Sequence, residues 1–219
     1  MSQVILHHVP LSRSFRILWL LEEMGITYDL KTYSIRDGSL RAPAFLEISP
    51  SGRVPALEID GMTQFESAAI IEYLCESRDG FCVGETAQER LRFREWMGFA
   101  ETQGSILTTL NLQHLFIRPP AKVSADVLKV ETARLKKTLA MMEEALTERD
   151  YLLGAFSAVD CMFGWNLRAA PFYVDLAEFK ALEAYLDRIH ARPAYLRAVA
   201  NDGDQDFYEK PFYAAKDVT

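Results

Sequence analysis

The first eighty residues alternate short apolar runs, which predict β-strands, with periodic runs that predict helices. Residues 4–7 form an apolar strand-like run, and residues 14–24 repeat apolar side chains at helical spacing. Gly25 ends that helix, residues 28–33 predict a second strand, and residues 44–48 predict a short helix. This part of the chain is therefore expected to run strand, helix, strand, helix.

Two more strands, residues 55–59 and 62–65, flank the dipeptide Asp60-Gly61. That dipeptide suits a type I′ turn, in which both central residues need positive φ, so an antiparallel hairpin is expected. A helix over residues 67–77 follows, with its apolar side chains on one face. The predicted order of the first part is β-α-β-α-β-β-α.

From about residue 85 the strand signals vanish and long amphipathic patterns take over, around residues 87–117, 124–149 and 176–199. Ser157 and Asp160 begin another, more apolar helix, and we expect Asp160 to accept a hydrogen bond from the Ser157 amide as in a capping box. The second part of the chain is thus predicted to be all-helical.

These patterns predict an α/β domain at residues 1–80, a linker at 81–86 and an all-α domain at 87–219. A chain of 219 residues with 49% hydrophobic and 25% charged residues is large enough for two packed domains. The net charge of -7 and the scattered Lys and Arg residues argue against nucleic acid or an anionic membrane as a partner. There is no run of eighteen apolar residues and no secretory signal pattern, so we expect a cytoplasmic protein.

The cysteines and histidines do not predict a metal site. Cys75, Cys82 and Cys161 have unrelated spacings and form no CxxC pair, so they are expected to be reduced thiols, mostly in the core. His7 and His8 are adjacent in a predicted strand, where their side chains point to opposite faces and cannot grip one ion.

Four segments together resemble the soluble glutathione transferase superfamily, and the resemblance covers nearly the whole chain. They are LSRSFRILWLLEE at 11–23, SPSGRVPAL at 49–57, FESAAIIEYL at 65–74 and FSAVDCM at 156–162. The resemblance implies a thioredoxin-like glutathione-binding domain followed by an all-α domain, and a homodimer. The segment WMGFAE at 96–101 is similar to bacterial members. His8 departs from the family, since many relatives carry tyrosine there, and no tyrosine is available at that position to activate sulfur.

The resemblance also implies which residues bind glutathione. It places the active serine four residues before Arg16, which selects Ser12, while Ser14 is expected mainly to cap the helix. The Val54-Pro55 bond resembles the family's cis-proline corner, whose backbone pairs with the cysteinyl part of glutathione.

The remaining glutathione contacts are implied at three further residues. Glu66 and Ser67 would hold the γ-glutamyl ammonium and carboxylate at a helix N-terminus. Arg53 would lie near the glycine end, with Arg13 a weaker candidate for the same role. Each of these residues also has a plain structural alternative, as a cap or a solvated charge.

The reaction implied is conjugation, in which the glutathione thiolate attacks an electrophilic carbon of an apolar second substrate, with no metal. Peroxide reduction, dehalogenation or isomerisation on the same sulfur, or a non-catalytic binding module, remain alternatives. Aromatic and apolar side chains of the second domain are candidates to wall the second-substrate cleft, although most are expected to be core: Trp96, Phe99, Leu107, Leu110, His114 and Phe116.

Overall fold

The structure, a computed structural model, describes residues 3–77, 81 and 84–215. The N-terminal part has the predicted β-α-β-α-β-β-α order. Its elements are β1 (Ile5–His8), α1 (Phe15–Glu23), β2 (Asp29–Thr32), α2 (Pro43–Ile48), β3 (Ala56–Ile59), β4 (Met62–Phe65) and α3 (Ser67–Ser77).

The four strands form one mixed sheet in the order β2-β1-β3-β4. β1 pairs in parallel with β2 and antiparallel with β3, and β3 pairs antiparallel with β4. Asp60 and Gly61 have φ angles of 53° and 75°, as the predicted type I′ hairpin requires. The sheet is therefore a thioredoxin-like α/β arrangement.

The C-terminal part is helical, as predicted. It contains α4 (Ala87–Asn111), which continues into a π-helical turn at Leu112–Phe116, then α5 (Ala125–Leu146), α6 (Ala158–Ala169), α7 (Lys180–His190) and α8 (Pro193–Asp202). The last helix runs three residues beyond the expected end at residue 199 and stops before Gly203, whose φ is 82°.

Helix α1 lies at the centre of the molecule. Every residue from Phe15 to Leu21 is buried, because α6 and α8 cover the side of the helix that the sheet domain leaves open. Trp19 packs edge-on against Tyr195 of α8, with ring centroids 5.0 Å apart, and Trp165 of α6 donates from Nε1 to the Leu11 carbonyl at 3.0 Å. The segment that leads into α1 is thus fixed by the helical part.

The capping interaction predicted at α6 is present. The Ser157 amide donates to Oδ2 of Asp160 at 2.8 Å. Oδ1 of the same carboxylate accepts a 2.8 Å hydrogen bond from the Tyr185 hydroxyl of α7, which sequence reasoning missed. Burial raises the pKa of Asp160 to about 6, although these donors favour its charged form. The carboxylate therefore joins two helices in addition to capping one.

Cys75 and Cys161 are buried, as expected, and Cys82 lies outside the described residues. The predicted domain junction also falls partly on residues 78–80, 82 and 83, which are outside that set, so the boundaries stay a prediction. Across the described ranges, no helix is both long and apolar enough to cross a membrane.

Candidate active site

Three segments of the N-terminal part meet at one edge of the sheet. The register pairs His7 with Ala56 and Ala56 with Phe65, and β3 runs opposite to β1 and β4. The carboxyl ends of β1 and β4 and the amino end of β3 therefore lie side by side. This arrangement places Ser12, Val54-Pro55 and Glu66-Ser67, which follow or precede those strand ends, at the same edge.

Ser12 and Ser14 occupy different environments in the turn between β1 and α1. Ser12 is partly exposed, and its Oγ lies 2.8 Å from Ser14 Oγ and accepts from the Ser14 amide at 3.2 Å. Ser14 is completely buried. Of the two serines, Ser12 is therefore the one whose hydroxyl a ligand can reach.

The predicted capping role of Ser14 is wrong. Ser14 stands at the N-cap position of α1, but its side chain makes no capping hydrogen bond. Its Oγ lies 2.8 Å from Nδ1 of His8, accepts from the Val9 amide at 3.2 Å and lies 3.2 Å from the Val9 carbonyl oxygen. These partners on β1 and just after it turn the hydroxyl away from the helix.

His8 is buried between the Ser12 turn and α8. Its Nε2 lies 2.9 Å from the carbonyl oxygen of Asp202 and 3.4 Å from Oδ1 of the same residue. The Asp202 carboxylate is itself buried, and it accepts from Arg168 Nη1 at 2.7 Å and from the Leu11 amide. Burial lowers the pKa of the His8 imidazole below its usual value.

His7 points to the other side of the sheet, as the strand alternation predicts. Its Nδ1 lies 2.8 Å from the Tyr33 hydroxyl and its Nε2 lies 2.8 Å from Oε1 of Glu58. The two histidines therefore share no partner. Among the residues that the structure describes, no group of three or more His, Cys, Asp and Glu side chains is placed to hold a metal ion.

A buried arginine connects the Ser12 turn to the start of α3. Arg16 donates from Nη1 to Ser67 Oγ at 2.8 Å and also contacts Glu101, while Nη2 donates to Asn166 Oδ1 at 2.8 Å. Burial lowers the pKa of this guanidinium to about 10. Ser67 Oγ is in turn 3.2 Å from Oε1 of Glu101. The Ser67 hydroxyl thus accepts a hydrogen bond from Arg16 and donates its one proton to Glu101.

Glu66 has an unusual backbone conformation directly before α3. Its φ is 71°, in the left-handed region that non-glycine residues rarely adopt, and its side chain is exposed. The amide groups in the first turn of α3 have no intrahelical acceptors. The junction therefore presents an exposed carboxylate beside N–H donors, and strain of this kind is concentrated at binding sites.

The other predicted contacts lie at the start of β3 and beside α4. The Val54-Pro55 bond is cis, as predicted, and the exposed Arg53 precedes it, held by a 2.7 Å bond from Ser49 Oγ to its carbonyl. Arg13 contacts α4 and α6. Its Nη2 donates to Thr108 Oγ1 of α4 at 3.1 Å and its guanidinium lies over the Trp165 ring.

Most candidates for the second-substrate wall are packed inside the helical part. Leu107 and Leu110 are completely buried, and Trp96 packs edge-on against Phe163. Phe99 also contacts Trp96 and Phe163, and His114 stacks on Tyr173. Phe116 is 47% exposed, so it alone of the six presents a large apolar surface to solvent.

Comparisons with known proteins agree with the fold. Residues 12–77 match the family model described as glutathione S-transferase, N-terminal domain. Glutathione S-transferase 3 of Schizosaccharomyces pombe is 29% identical over 205 residues, which cover 87% of this chain and 84% of that protein. Disulfide-bond oxidoreductase YfcG of Escherichia coli is 28% identical over 215 residues, covering 91% and 97%.

A solved structure shows the same architecture. The glutathione transferase URE2P6 from Phanerochaete chrysosporium, in complex with oxidized glutathione, superimposes with a TM-score of 0.80 over 92% of this chain and 96% of that one, at 26% identity. The match over residues 12–77, the relatives that span most of the chain and the shared two-part fold together support membership of the glutathione transferase superfamily.

Proposed function

We propose that this protein binds glutathione at the edge where β1, β3 and β4 end, and that the glutathione thiolate attacks an electrophilic carbon of a small apolar molecule to form a thioether. The observation that carries the proposal is the convergence of Ser12, Val54-Pro55 and Glu66-Ser67 at that edge. These are the segments that the family resemblance assigns to glutathione.

In this proposal the Ser12 hydroxyl donates a hydrogen bond to the glutathione sulfur and favours the thiolate. A free thiol has a pKa near 8.5, and lowering it by two requires about 2.7 kcal/mol. A hydrogen bond to a charged group contributes roughly 1.5 to 3 kcal/mol, and a helix N-terminus adds about 0.3 to 2 kcal/mol. Ser12 stands just before α1, so both contributions are available at one place.

The γ-glutamyl end is proposed to bind at Glu66 and Ser67. Because the Ser67 hydroxyl is engaged by Arg16 and Glu101, we assign its backbone amide to the ligand carboxylate, and the exposed Glu66 carboxylate to the ligand ammonium. Arg53 is proposed to contact the glycine part of glutathione, and the Val54 backbone is proposed to pair with its cysteinyl part.

The apolar second substrate is proposed to lie against α4 and its π-helical continuation. Thr108 contacts Arg13, so this stretch of α4 runs beside the Ser12 turn. Leu112 and Phe116 follow Thr108 at intervals of four residues and are 50% and 47% exposed. Two exposed apolar side chains on that side of the helix favour an apolar co-substrate.

Reduction of a disulfide through bound glutathione is a second candidate. It is favoured by the name of the Escherichia coli relative, a disulfide-bond oxidoreductase, and by the oxidized glutathione in the Phanerochaete chrysosporium structure. Cys75 and Cys161 are buried, and burial raises the pKa of the Cys161 thiol well above its usual value, so neither suits this exchange. The reacting sulfur would again be that of glutathione.

The test is a pair of measurements on the same variants. Glutathione should raise the melting temperature, since a ligand at a hundred times its Kd stabilises the folded state by about 2.7 kcal/mol. Ser12→Ala should retain this shift but lower the conjugation rate with 1-chloro-2,4-dinitrobenzene roughly ten- to a hundredfold. Ser12→Thr, which keeps the hydroxyl, is the matched control and should retain most of the rate.

Each outcome decides between the candidates. A glutathione-dependent rate with a disulfide substrate, but none with the aromatic electrophile, would select the second candidate. Binding without either reaction would select a binding module, and the absence of a melting shift at millimolar glutathione would overturn the proposed site.

A further inference from the structure

A continuous chain of hydrogen bonds leads from the exposed Ser12 hydroxyl into the protein. Ser12 Oγ and Ser14 Oγ are 2.8 Å apart, and Ser14 Oγ is 2.8 Å from His8 Nδ1. On the far side of the ring, His8 Nε2 faces Asp202. The chain thus joins a position that a ligand can reach to a buried imidazole and a buried carboxylate.

The partners of His8 fix which ring nitrogen carries the proton in the neutral state. Nε2 faces the carbonyl oxygen and Oδ1 of Asp202, which can only accept, so Nε2 must be the N–H donor. Nδ1 is then an acceptor, and the Ser14 hydroxyl donates to it.

This assignment sets the direction of every bond up to Ser12. Ser14 Oγ gives its one proton to His8 Nδ1 at 2.8 Å rather than to the Val9 carbonyl at 3.2 Å, and it accepts from the Val9 amide, so its other lone pair accepts from the Ser12 hydroxyl. Ser12 Oγ also accepts from the Ser14 amide. Counted over the described residues, one lone pair of Ser12 Oγ remains, and it points to no protein donor. That lone pair can accept a proton from a thiol.

We propose that His8 receives the proton of the glutathione thiol through Ser12 and Ser14; this inference rests on the proposed function. The thiol S–H proton passes to Ser12 Oγ, the Ser12 hydroxyl proton passes to Ser14 Oγ, and the Ser14 hydroxyl proton passes to His8 Nδ1. The products are a thiolate and an imidazolium, so total charge and the number of protons are unchanged.

The product state is as fully hydrogen-bonded as the starting state. After the transfer Ser14 Oγ accepts from His8 Nδ1 and the Val9 amide and donates to Ser12, while Ser12 accepts from Ser14 and donates to the thiolate. The hydroxyl that took the thiol proton thereby becomes the donor that stabilises the anion. No heavy atom has to move.

The charges around His8 come from two helices. Burial disfavours the imidazolium and lowers the His8 pKa, Asp202 of α8 favours the imidazolium, and Arg168 of α6 opposes it while holding Asp202 in place. His7 and Glu58 pair with one another on the opposite face of the sheet. His8 is therefore a positioning residue that acts on the sulfur through the two serines, supported by Asp202.

The experiment compares two quantities measured when glutathione binds: the amount of thiolate that forms and the number of protons that are released to the buffer. Thiolate is measured by its ultraviolet absorbance, and proton release by titration calorimetry in two buffers with different ionisation enthalpies. Wild type is expected to form thiolate with little proton release, because His8 keeps the proton. His8→Asn and Ser14→Ala are expected to release one proton for each thiolate and to form less thiolate at neutral pH.

His7→Asn is the matched control, since it replaces the adjacent buried histidine without touching the chain of hydrogen bonds, and it should behave like wild type. Histidine nitrogen NMR shifts of wild type should also show His8 Nδ1 becoming protonated on binding. Two results would overturn the relay alone. One is the release of one proton per thiolate by wild type, and the other is a folded His8→Asn that still forms thiolate with little proton release. No binding by wild type would overturn the glutathione site itself.

Discussion

Nη1 of Arg16 donates a 2.8 Å hydrogen bond to Oγ of Ser67, and both side chains are buried. Arg16 lies one helical turn after Ser12, and Ser67 is the first residue of α3. The bond therefore fixes the distance between the two segments proposed to hold the sulfur and the γ-glutamyl end of one glutathione molecule.

Replacing Arg16 by lysine should be destabilising although the charge is kept. The guanidinium bonds Ser67 from Nη1 and Asn166 from Nη2, and a single ammonium cannot match this fork. A buried polar group without a partner costs about 1 to 3 kcal/mol, so we expect the free energy of unfolding to fall by about 3 kcal/mol. Chemical denaturation measures this change. Arg13→Lys, at a more exposed site, should cost less than about 1 kcal/mol, and equal losses would contradict the assigned role.

Asp160→Asn should change the way stability depends on pH. The folded-state pKa of about 6 is above the usual 3.8, so the protonated carboxyl contributes stability below pH 4 that is lost as the pH rises through 6. Between pH 4 and pH 7 wild type should lose about 2 kcal/mol relative to the asparagine variant, which stays neutral. Denaturant titrations at the two pH values give this difference.

Tyr185→Phe tests the pKa of Asp160 by removing one of the hydrogen-bond donors to its carboxylate. Removing the hydroxyl takes away a donor that favours the charged form, so the pKa of Asp160 should rise and the loss of stability should move to higher pH. A difference between wild type and Asp160→Asn that does not vary with pH would show that burial does not raise this pKa.

Gly164→Ala should destabilise the contact between α6 and α1. A Cβ at Gly164 would lie 2.8 Å from Trp19 Cε3 and 3.3 Å from the Phe15 ring, and both rings are buried. Overpacking of this kind costs about 1 to 3 kcal/mol. Gly98→Ala is the matched control, because a Cβ there meets nothing within 4 Å and alanine favours the helix by about 1 kcal/mol. Melting temperatures should therefore move in opposite directions.

Glu66→Gly should stabilise the protein while weakening glutathione binding. Glycine adopts the φ of 71° without the steric cost of about 1 to 2 kcal/mol that a side chain incurs, but it removes the carboxylate proposed to hold the ligand ammonium. Glu66→Gln separates the two effects, since it should weaken binding and leave stability nearly unchanged. Calorimetric binding and thermal melting are the measurements, and unchanged affinity in both variants would remove Glu66 from the site.

Much of the fold could be predicted from the sequence because short local patterns mark where the elements begin and end. The strand Met62–Phe65 and the helix Ser67–Ser77 were predicted with their observed bounds, because a two-residue turn and a strand-to-helix junction mark them. The end of α8 was missed, since its last three residues follow the final large apolar residue, Val199, and the helix stops only at Gly203.

The candidate site was less predictable because its buried supports come from distant parts of the chain. Ser12, Glu66 and Ser67 were singled out through short motifs, but Asp202 is 194 residues from His8 and no local pattern joins the two. The sequence does show histidine at position 8 where many relatives carry tyrosine. The role of His8 nevertheless depends on its hydrogen-bond partners, which only the fold reveals. Sequence periodicity reports which face of an element is apolar, and it does not report which polar groups meet inside.

The packing of α6 and α8 over α1 affects how the protein folds during its synthesis. Residues Phe15 to Leu21 emerge early from the ribosome, but the side chains of α6 and α8 that bury them, together with the Asp202 that His8 contacts, are synthesised only from residue 158 onward. The N-terminal part consequently has an exposed apolar helix until α8 has been translated and packed. Glutathione binding should therefore appear only late in synthesis, in a single cooperative step with the docking of α8.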